Sequence, residues 1–574
     1  MLQVQRGKQK RAWLLCLLLG AGWEEGCGAS SQFQEKPNST QILTIVGTND
    51  LHGHIEVLPA FAGYVRILRR IREADGGGLL LLDAGDMFQG TLASNLSEGA
   101  VVVAAYEKLG YDAVAIGNHE FDFGPLGPLS APRSEHDDPW GALRARVREA
   151  PFPFLSSNLL ERQSKRIANF GTPERPSLPH IIIERSGIRI GIVGASTRET
   201  LRTTLAANVK GLELIPPEEA IPKEAIELRN NGAHVVVALV HAGGKCERFE
   251  DPRDASACDP SEEIMHIAQA LPSGLVDVIV GGHTHQAMAH LISGIAIIES
   301  YAYGQAFGRI DLVLNRQSKR IIEKRLYPPT AICRGDDCTT IRYEGHPIEA
   351  DPEVQAHVEE AQARVKALME RPIGPVLVAP FWRRRDAECP LGNLFVDLMR
   401  EAHPQADVAI YNGGGLRADL PKGPLSYGAL FEAIPFDNRF AHLRLRARDL
   451  AQILAENAQT SRSHLSISGI RARFFCEGPH LRVQLKREDG SPIRDDEELN
   501  VVTSDFLATG GDGIFAQVRK QALAFELEED PPIREAFVQV LSRKTELNPS
   551  SYQDPSRPRI ELPGPPPIRC AGGQ

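Results

Sequence analysis

Along the first half of the chain, short aliphatic runs alternate with amphipathic stretches. Residues 41–47, 79–82, 114–116, 235–240 and 276–280 are largely apolar runs, interrupted only by Gln41, Thr44 and Asp277, and each stops abruptly at small or polar residues. Continuous runs of this length predict strands buried on both faces. Residues 61–72 place Val65, Leu68 and Ile71 on one face and arginines on the other, which predicts a helix that Gly76-Gly77-Gly78 breaks. A second helix is predicted over 99–109, with further strands over 180–184 and 188–193. Residues 124–138, rich in Pro, Gly and charge, predict an exposed loop. Strands alternating with helices give a layered α/β domain over 40–330. A linker helix is expected over 351–371, with Val354, Val358, Ala361, Val365 and Leu368 in one stripe. A second domain is expected over 372–562, with strands 408–411, 443–445 and 499–502 and helices 391–401 and 447–458. A Pro-rich tail, 563–574, follows.

Composition narrows the setting. The 574 residues are 42% hydrophobic and 24% charged, ordinary for a globular protein of several domains. The net charge of −10 argues against a nucleic-acid polymer as partner, because such proteins need basic surface to displace counterions. A small phosphorylated ligand needs only a local cluster of positive charge. Arg6, Lys8, Lys10 and Arg11 precede the apolar run 12–22, the pattern of a secretory signal ending near Ala29. An exported protein, periplasmic or extracellular, is therefore expected, and losing residues 1–29 would leave a charge of about −12. Glu24 and Glu25 stand where a lipoprotein signal carries small or apolar residues, which argues against a lipid anchor at Cys27. No later stretch reads as a transmembrane helix. Cys246 and Cys258 bracket one polar loop and Cys333 and Cys338 another, so two local disulfides are expected. Cys389, Cys476 and Cys570 have no evident assignment.

The candidate chemistry sits at the ends of the aliphatic runs. Five strand ends supply Asp50 and His52, Asp86, Asn118 and His119, His241, and His283 with His285. One such stretch alone reads equally well as a polar turn after a core strand. Lone histidines such as His54, His180, His403 and His464 read as ordinary. Five repeats of one layout at the carboxyl ends of buried strands point instead to a ligand site. Carboxylate, amide and imidazole donors suit zinc, manganese or cobalt better than calcium or magnesium. In Asp-x-His and His-x-His, extended backbone would send side chains two apart in one direction, toward one locus.

In order along the chain, Asp-x-His, Gly-Asp, Gly-Asn-His-Glu, a His-bearing strand end and Gly-His-Thr-His resemble the calcineurin-like metallophosphoesterases. The resemblance implies a four-layer α/β sandwich holding two divalent ions. It places Asp50, His52, Asp86 and His285 on one ion and Asp86, Asn118, His241 and His283 on the other. It also implies that His119, oriented by Asp122, serves the departing oxygen; Glu120 and Phe121 then read as structural spacers that aim the pair.

Three stretches of the second half are weak signals singly: Asn412 to Arg417, Pro435 to Asn438, and Asp505 to Gly513. Together with the first half they resemble the secreted 5′-nucleotidase family, including its UDP-sugar hydrolases, over about 41–562. That resemblance implies a nucleotide substrate and a second, α/β substrate-binding domain. It makes Asn412 and Arg417 substrate contacts, Phe436 and Phe506 the rings that sandwich the base, and Asn438 and Asp512 polar contacts, Asp512 to the ribose hydroxyls. The same resemblance makes Arg385, of the run 383–385, the phosphate-side arginine. Pro390 stands where a small polar residue is usual, and Gly47 replaces a common histidine that is not a ligand. The implied activity is that of a metal-dependent phosphoric monoester hydrolase. Its expected substrates are nucleoside 5′-monophosphates, with UDP-sugar-type pyrophosphates as a further class. The alternative is a 2′,3′-cyclic-nucleotide phosphodiesterase/3′-nucleotidase. Because ions and base would be held by different domains, a closing rotation near 351–375 is expected.

Overall fold

The computed structural model describes residues 39–460, 463–516 and 522–570. The signal segment 1–29, with Cys27, and residues 571–574 of the tail lie outside the described residues.

Two six-stranded sheets organise the first half. One runs, edge to edge, Ile321–Ala331, Ala306–Asn315, Thr40–Thr48, Gly78–Asp83, Ala113–Ala115 and Phe154–Leu155. The other runs Ala287–Ile292, Ile295–Ser300, Val278–Val280, Val235–His241, Ile188–Ser196 and His180–Arg185. In the first sheet the four strands from Thr40–Thr48 to Phe154–Leu155 run parallel and the other two add antiparallel on one side; in the second the four interior strands are parallel and both edge strands are antiparallel. Their aliphatic runs are continuous because both faces are covered, and alternation along each strand splits the side chains between two cores. Val235, Val237 and Leu239 meet Leu43, Ile45, Leu80 and Leu82 of the opposite sheet. Val236, Ala238 and Val240 face the helices Pro217–Asn230 and Glu263–Ala270. Leu79 and Leu81 turn outward onto the helices Leu58–Asp75 and Ala100–Leu109. The result is a four-layer helix–sheet–sheet–helix sandwich. Each fully buried aliphatic side chain contributes roughly 1.5–3 kcal/mol.

The helix Pro352–Met369 begins at Asp351, whose carboxylate accepts from the backbone of Glu353 and Val354 at 3.0 and 3.2 Å. Its apolar stripe is divided. Val354, Val358 and Ala361 pack into the sandwich's outer core, whereas Val365 and Leu368 pack with the second half.

The second half is built on a five-stranded sheet, ordered Leu465–Ser468, Val408–Asn412, Glu498–Ser504, Phe440–Arg446 and Ala524–Leu527. Alternation sorts its side chains too. Ala409 and Tyr411 face the helix Pro390–Ala402, and Val408 and Ile410 face the helix Ala447–Thr460. Cys246–Cys258 and Cys333–Cys338 are bonded, and Cys476 is joined to Cys570, tying the tail to the strand Ile470–Glu477. Cys389 is a buried free thiol. Among the described residues, no helix is long and apolar enough to cross a membrane.

Candidate active site

The strand ends of both sheets converge at one edge of the sandwich. The turn after Thr40–Thr48 and the turn after Gly78–Asp83 run side by side: Asp50 N–H donates to Gly85 O at 2.9 Å, and His52 N–H to Asp86 O at 3.0 Å. Asp50, His52, Asp86, His283 and His285 all have left-handed backbone, with φ of 50°, 49°, 58°, 83° and 58°. The extended geometry expected of Asp-x-His and His-x-His is therefore absent, and a tight turn aims each side chain separately. His283 and His285 accordingly separate, one to each of two donor groups. Left-handed φ outside glycine carries strain, which persists where surrounding structure over-determines it.

Each carboxylate spends one oxygen on the scaffold and keeps the other for the centre. Asp50 Oδ2 accepts from Asn49 Nδ2 and from the His283 N–H, both at 2.8 Å. Asp50 Oδ1 is buried without a hydrogen bond, 3.4 Å from His285 Nε2 and 3.9 Å from His52 Nε2. Asp86 Oδ1 accepts the His119 N–H at 2.8 Å, while Oδ2 lies 3.1 Å from His241 Nε2 and 4.0 Å from His52 Nε2. Donor atoms of Asp50, His52 and His285 fall within 4.8 Å of one another, as do those of Asp86, His241 and His283. Asn118 Oδ1, 3.1 Å from His241 Nε2, adjoins the second group. Asp86 stands between the two.

The histidine rings are held for cation binding. His52 Nδ1 faces Gln89 O at 2.7 Å and His241 Nδ1 faces Ala84 O at 2.8 Å. A carbonyl only accepts, so each Nδ1 carries the proton and each Nε2 looks into the centre. Burial, with Arg417 adding to it, holds the His52 pKa well below the histidine range, and burial pushes His285 down to about 4. Their Nε2 atoms are nonetheless 3.1 Å apart. Two neutral ring nitrogens facing each other beside an unpaired carboxylate oxygen fit a divalent ion of the zinc, manganese or cobalt type.

Glu120, expected to be a spacer, is a buried acceptor at the heart of the turn. Its carboxylate takes the N–H groups of Asp86 and Met87 at 2.8 Å and of Gly117 at 2.7 Å. Burial, reinforced by Asp86, pushes its pKa up to about 8. Gly117 is required there, because a Cβ would lie 2.2 Å from Asp86 Oδ1. Phe121 is a buried spacer packed on Phe170. Two further supports escaped the sequence reading. Thr204 Oγ1 donates to Asn118 O, and Glu299 accepts from Gly244 N–H and from Thr284 Oγ1. Glu299, an acid ending the aliphatic strand Ile295–Ser300, gave the clearest signal of those missed.

His119 Nδ1 lies 2.6 Å from Asp122 Oδ2. Burial opposes a charge on His119, but Asp122 and Asp86 outweigh it and raise its pKa above the usual histidine value. From the second half, Arg417 reaches across: its Nη2 lies 3.2 Å from His119 Nε2 and 3.5 Å from His52 Nε2.

A cavity of about 420 Å³ opens from this centre. Asp86, Asn118, His119, Asp122, His283 and His285 line one end, while Asp50, His52 and His241 are buried behind it. Arg385, Asn412, Arg417, Phe436, Asn438, Phe506 and Asp512 all line it as well. Asn412 Nδ2 donates to Asp512 at 2.8 Å, and burial raises the Asp512 pKa. Of the arginine run, Arg384 pairs with Asp386 instead. The loop 123–130, from the first half, supplies a further wall, and Ser130 is bonded to Arg439 across the cleft. A second cavity of about 510 Å³ lies beyond Arg385 and Arg417.

Residues 43–287 match the calcineurin-like phosphoesterase family, and residues 371–520 match the 5′-nucleotidase C-terminal domain. The chain is 27% identical over 495 residues to endonuclease YhcR of Bacillus subtilis, covering 83% of this chain but only 38% of that longer protein. It is 27% identical over 568 residues to the snake venom 5′-nucleotidase of Gloydius brevicauda, covering 87% and 85% of the two chains. Among solved structures, the 5′-nucleotidase precursor from Thermus thermophilus superposes with a TM-score of 0.72 at 25% identity, covering 91% of this chain and all of that one. The chain thus carries a calcineurin-like phosphoesterase domain over residues 43–287, followed by a 5′-nucleotidase C-terminal domain over residues 371–520.

Proposed function

We propose that the protein is an exported phosphohydrolase that releases phosphate from nucleoside 5′-monophosphates. One observation carries the reading. The paired donor groups around Asp86 open onto one end of a cavity whose other walls carry two phenylalanines, two arginines and an acid. Asp50, His52, Asp86 and His285 would hold one divalent ion, and Asp86, Asn118, His241 and His283 the other. Such ions supply Lewis acidity and a water acidic enough to attack phosphorus near neutral pH.

The chain's own residues do the rest. Phe436 and Phe506 hold the base by its faces. Asp512, positioned by Asn412, accepts from the ribose hydroxyls. Arg385 and Arg417 grip the phosphate as planar forks. Asp122 fixes the proton on His119 Nδ1, leaving Nε2 turned toward the centre, where it holds a proton for the departing oxygen. The second cavity, beyond Arg385 and Arg417, gives a pyrophosphate substrate of UDP-sugar type room for its far group. Three disulfides suit an oxidising compartment, in keeping with the N-terminal signal pattern.

The test is a substrate panel on protein loaded in turn with zinc, manganese and cobalt. AMP and UMP are expected to yield phosphate, with UDP-glucose cleaved as well. Hydrolysis of 2′,3′-cyclic AMP with AMP and UMP untouched would overturn the reading in favour of the cyclic phosphodiesterase.

A further inference from the structure

Away from the catalytic centre, three side chains from separate elements converge beside the five-stranded sheet of the second half. His403 caps the C-terminus of the helix Pro390–Ala402, His442 lies on the strand Phe440–Arg446, and Glu528 follows the strand Ala524–Leu527. Both rings address the same carboxylate oxygen. Glu528 Oε1 is 2.6 Å from His442 Nε2 and 3.5 Å from His403 Nδ1. The rings stand edge to face, with centroids 4.8 Å apart.

Their placement is built rather than incidental. Phe440 and His442, two apart on one strand, share a face, and the buried Phe440 ring packs edge-on against His403 at 4.3 Å. Glu528 is fixed by its backbone N–H, which donates to Phe440 O at 2.9 Å. All three side chains are partly shielded, with exposures of 13%, 25% and 27% for His403, His442 and Glu528. One hydrogen bond, His442 to Glu528, accounts for one imidazole only. His403 is left at a distance too long for a hydrogen bond. The C-terminal end of the helix above it carries partial negative charge and favours a cation there.

We infer that His403, His442 and Glu528 form an additional metal site for a zinc-like divalent ion, completed by water. Two imidazoles and one carboxylate are a donor set that zinc takes up with a water in the remaining position. Burial keeps the His403 pKa below the usual value, so its ring is neutral and able to ligate. The three elements tied together are the sheet, the helix and the segment leading into the helix Ile533–Leu541. The first turn of that helix braces the wall of the nucleotide cavity. Ile533 N–H donates to Asn438 O at 2.8 Å, and Arg534 holds Phe436 O, Ile434 O and the Asp437 carboxylate. An ion at this site would stiffen the backing of Phe436 and Asn438, a consequence that rests on the nucleotidase reading.

The test counts metal on the intact chain after chelation and dialysis against a small excess of zinc. Wild-type protein is expected to bind one more zinc per chain than His442→Gln, and Glu528→Gln is expected to show the same deficit. Equal zinc in all three proteins overturns the site, whatever the number held at the catalytic centre. A second measurement needs no variant: labelling of His403 and His442 by diethylpyrocarbonate, read by peptide mass spectrometry. Zinc at ten times its dissociation constant or more should cut labelling of both by about tenfold. Labelling unchanged by zinc overturns the proposal and leaves an ordinary histidine–glutamate ion pair. If the site stands and the nucleotidase reading fails, the zinc deficit persists while AMP turnover is absent from every protein.

Discussion

The two halves of the molecule build their share of the site by opposite means. In the first, every candidate metal donor stands within a few residues of a buried strand end, and left-handed backbone at Asp50, His52, Asp86, His283 and His285 aims those five inward. In the second, the candidate substrate contacts come from the loop at 385, the strand end and turn at 412–417, the turn at 436–438, and the short helix Asp505–Ala508 with the turn after it, gathered around one cavity. The difference follows from what each part must do. Ion-binding atoms must be fixed to a fraction of an ångström, which rigid, doubly covered strands provide. A nucleotide is held by broad faces and a few polar contacts, and loops on a firm sheet suffice for that.

The comparison predicts losses of different kinds. The largest should come from Asp86→Asn, which removes the carboxylate standing between both donor groups. kcat/KM for AMP is expected to fall by about 1,000-fold or more, with bound metal reduced by elemental analysis. Full activity with normal metal content would break the assignment of Asp86. His119→Ala should lower kcat by roughly 100- to 1,000-fold with metal content unchanged. Loss of metal in that variant would instead make His119 a ligand. Phe506→Ala should act on binding: KM for AMP is expected to rise by roughly 5- to 150-fold, the equivalent of about 1–3 kcal/mol of stacking, with little change in kcat. A fall confined to kcat would erase the distinction between the halves. The smallest effect on turnover should come from Cys476→Ser with Cys570→Ser. Neither cysteine lines the cavity; the bond links positions 94 apart in sequence, and its loss is expected to cost about 2–5 kcal/mol in thermal or denaturant unfolding while kcat stays as it was.

Much of the first half could be read from the sequence because its strands are continuous aliphatic runs and its chemistry begins where they stop. The convergence of the donors was also legible, although for a different reason from the one expected. Alternation along a strand would have sent His283 and His285 together, whereas left-handed backbone at both sends them to separate groups. Glu120 was misread as a spacer. Its role is to receive three backbone N–H groups, and two of these come from a turn more than thirty residues away in sequence. A local pattern carries no sign of such contacts. The same holds for the Cys476–Cys570 bond, whose partners flank no shared loop. In the second half, Phe436 and Phe506 had no periodicity to announce them, and only resemblance to a family singled them out. His403 read as an ordinary histidine because nothing in the sequence joins it to His442 or Glu528.

The most direct test of the account is a chelation and reloading experiment on the wild-type chain with AMP as substrate. Phosphate release should vanish as metal is withdrawn and return on adding zinc, manganese or cobalt, in step with occupancy of the donor groups around Asp86. Undiminished AMP hydrolysis by the metal-free protein would contradict it.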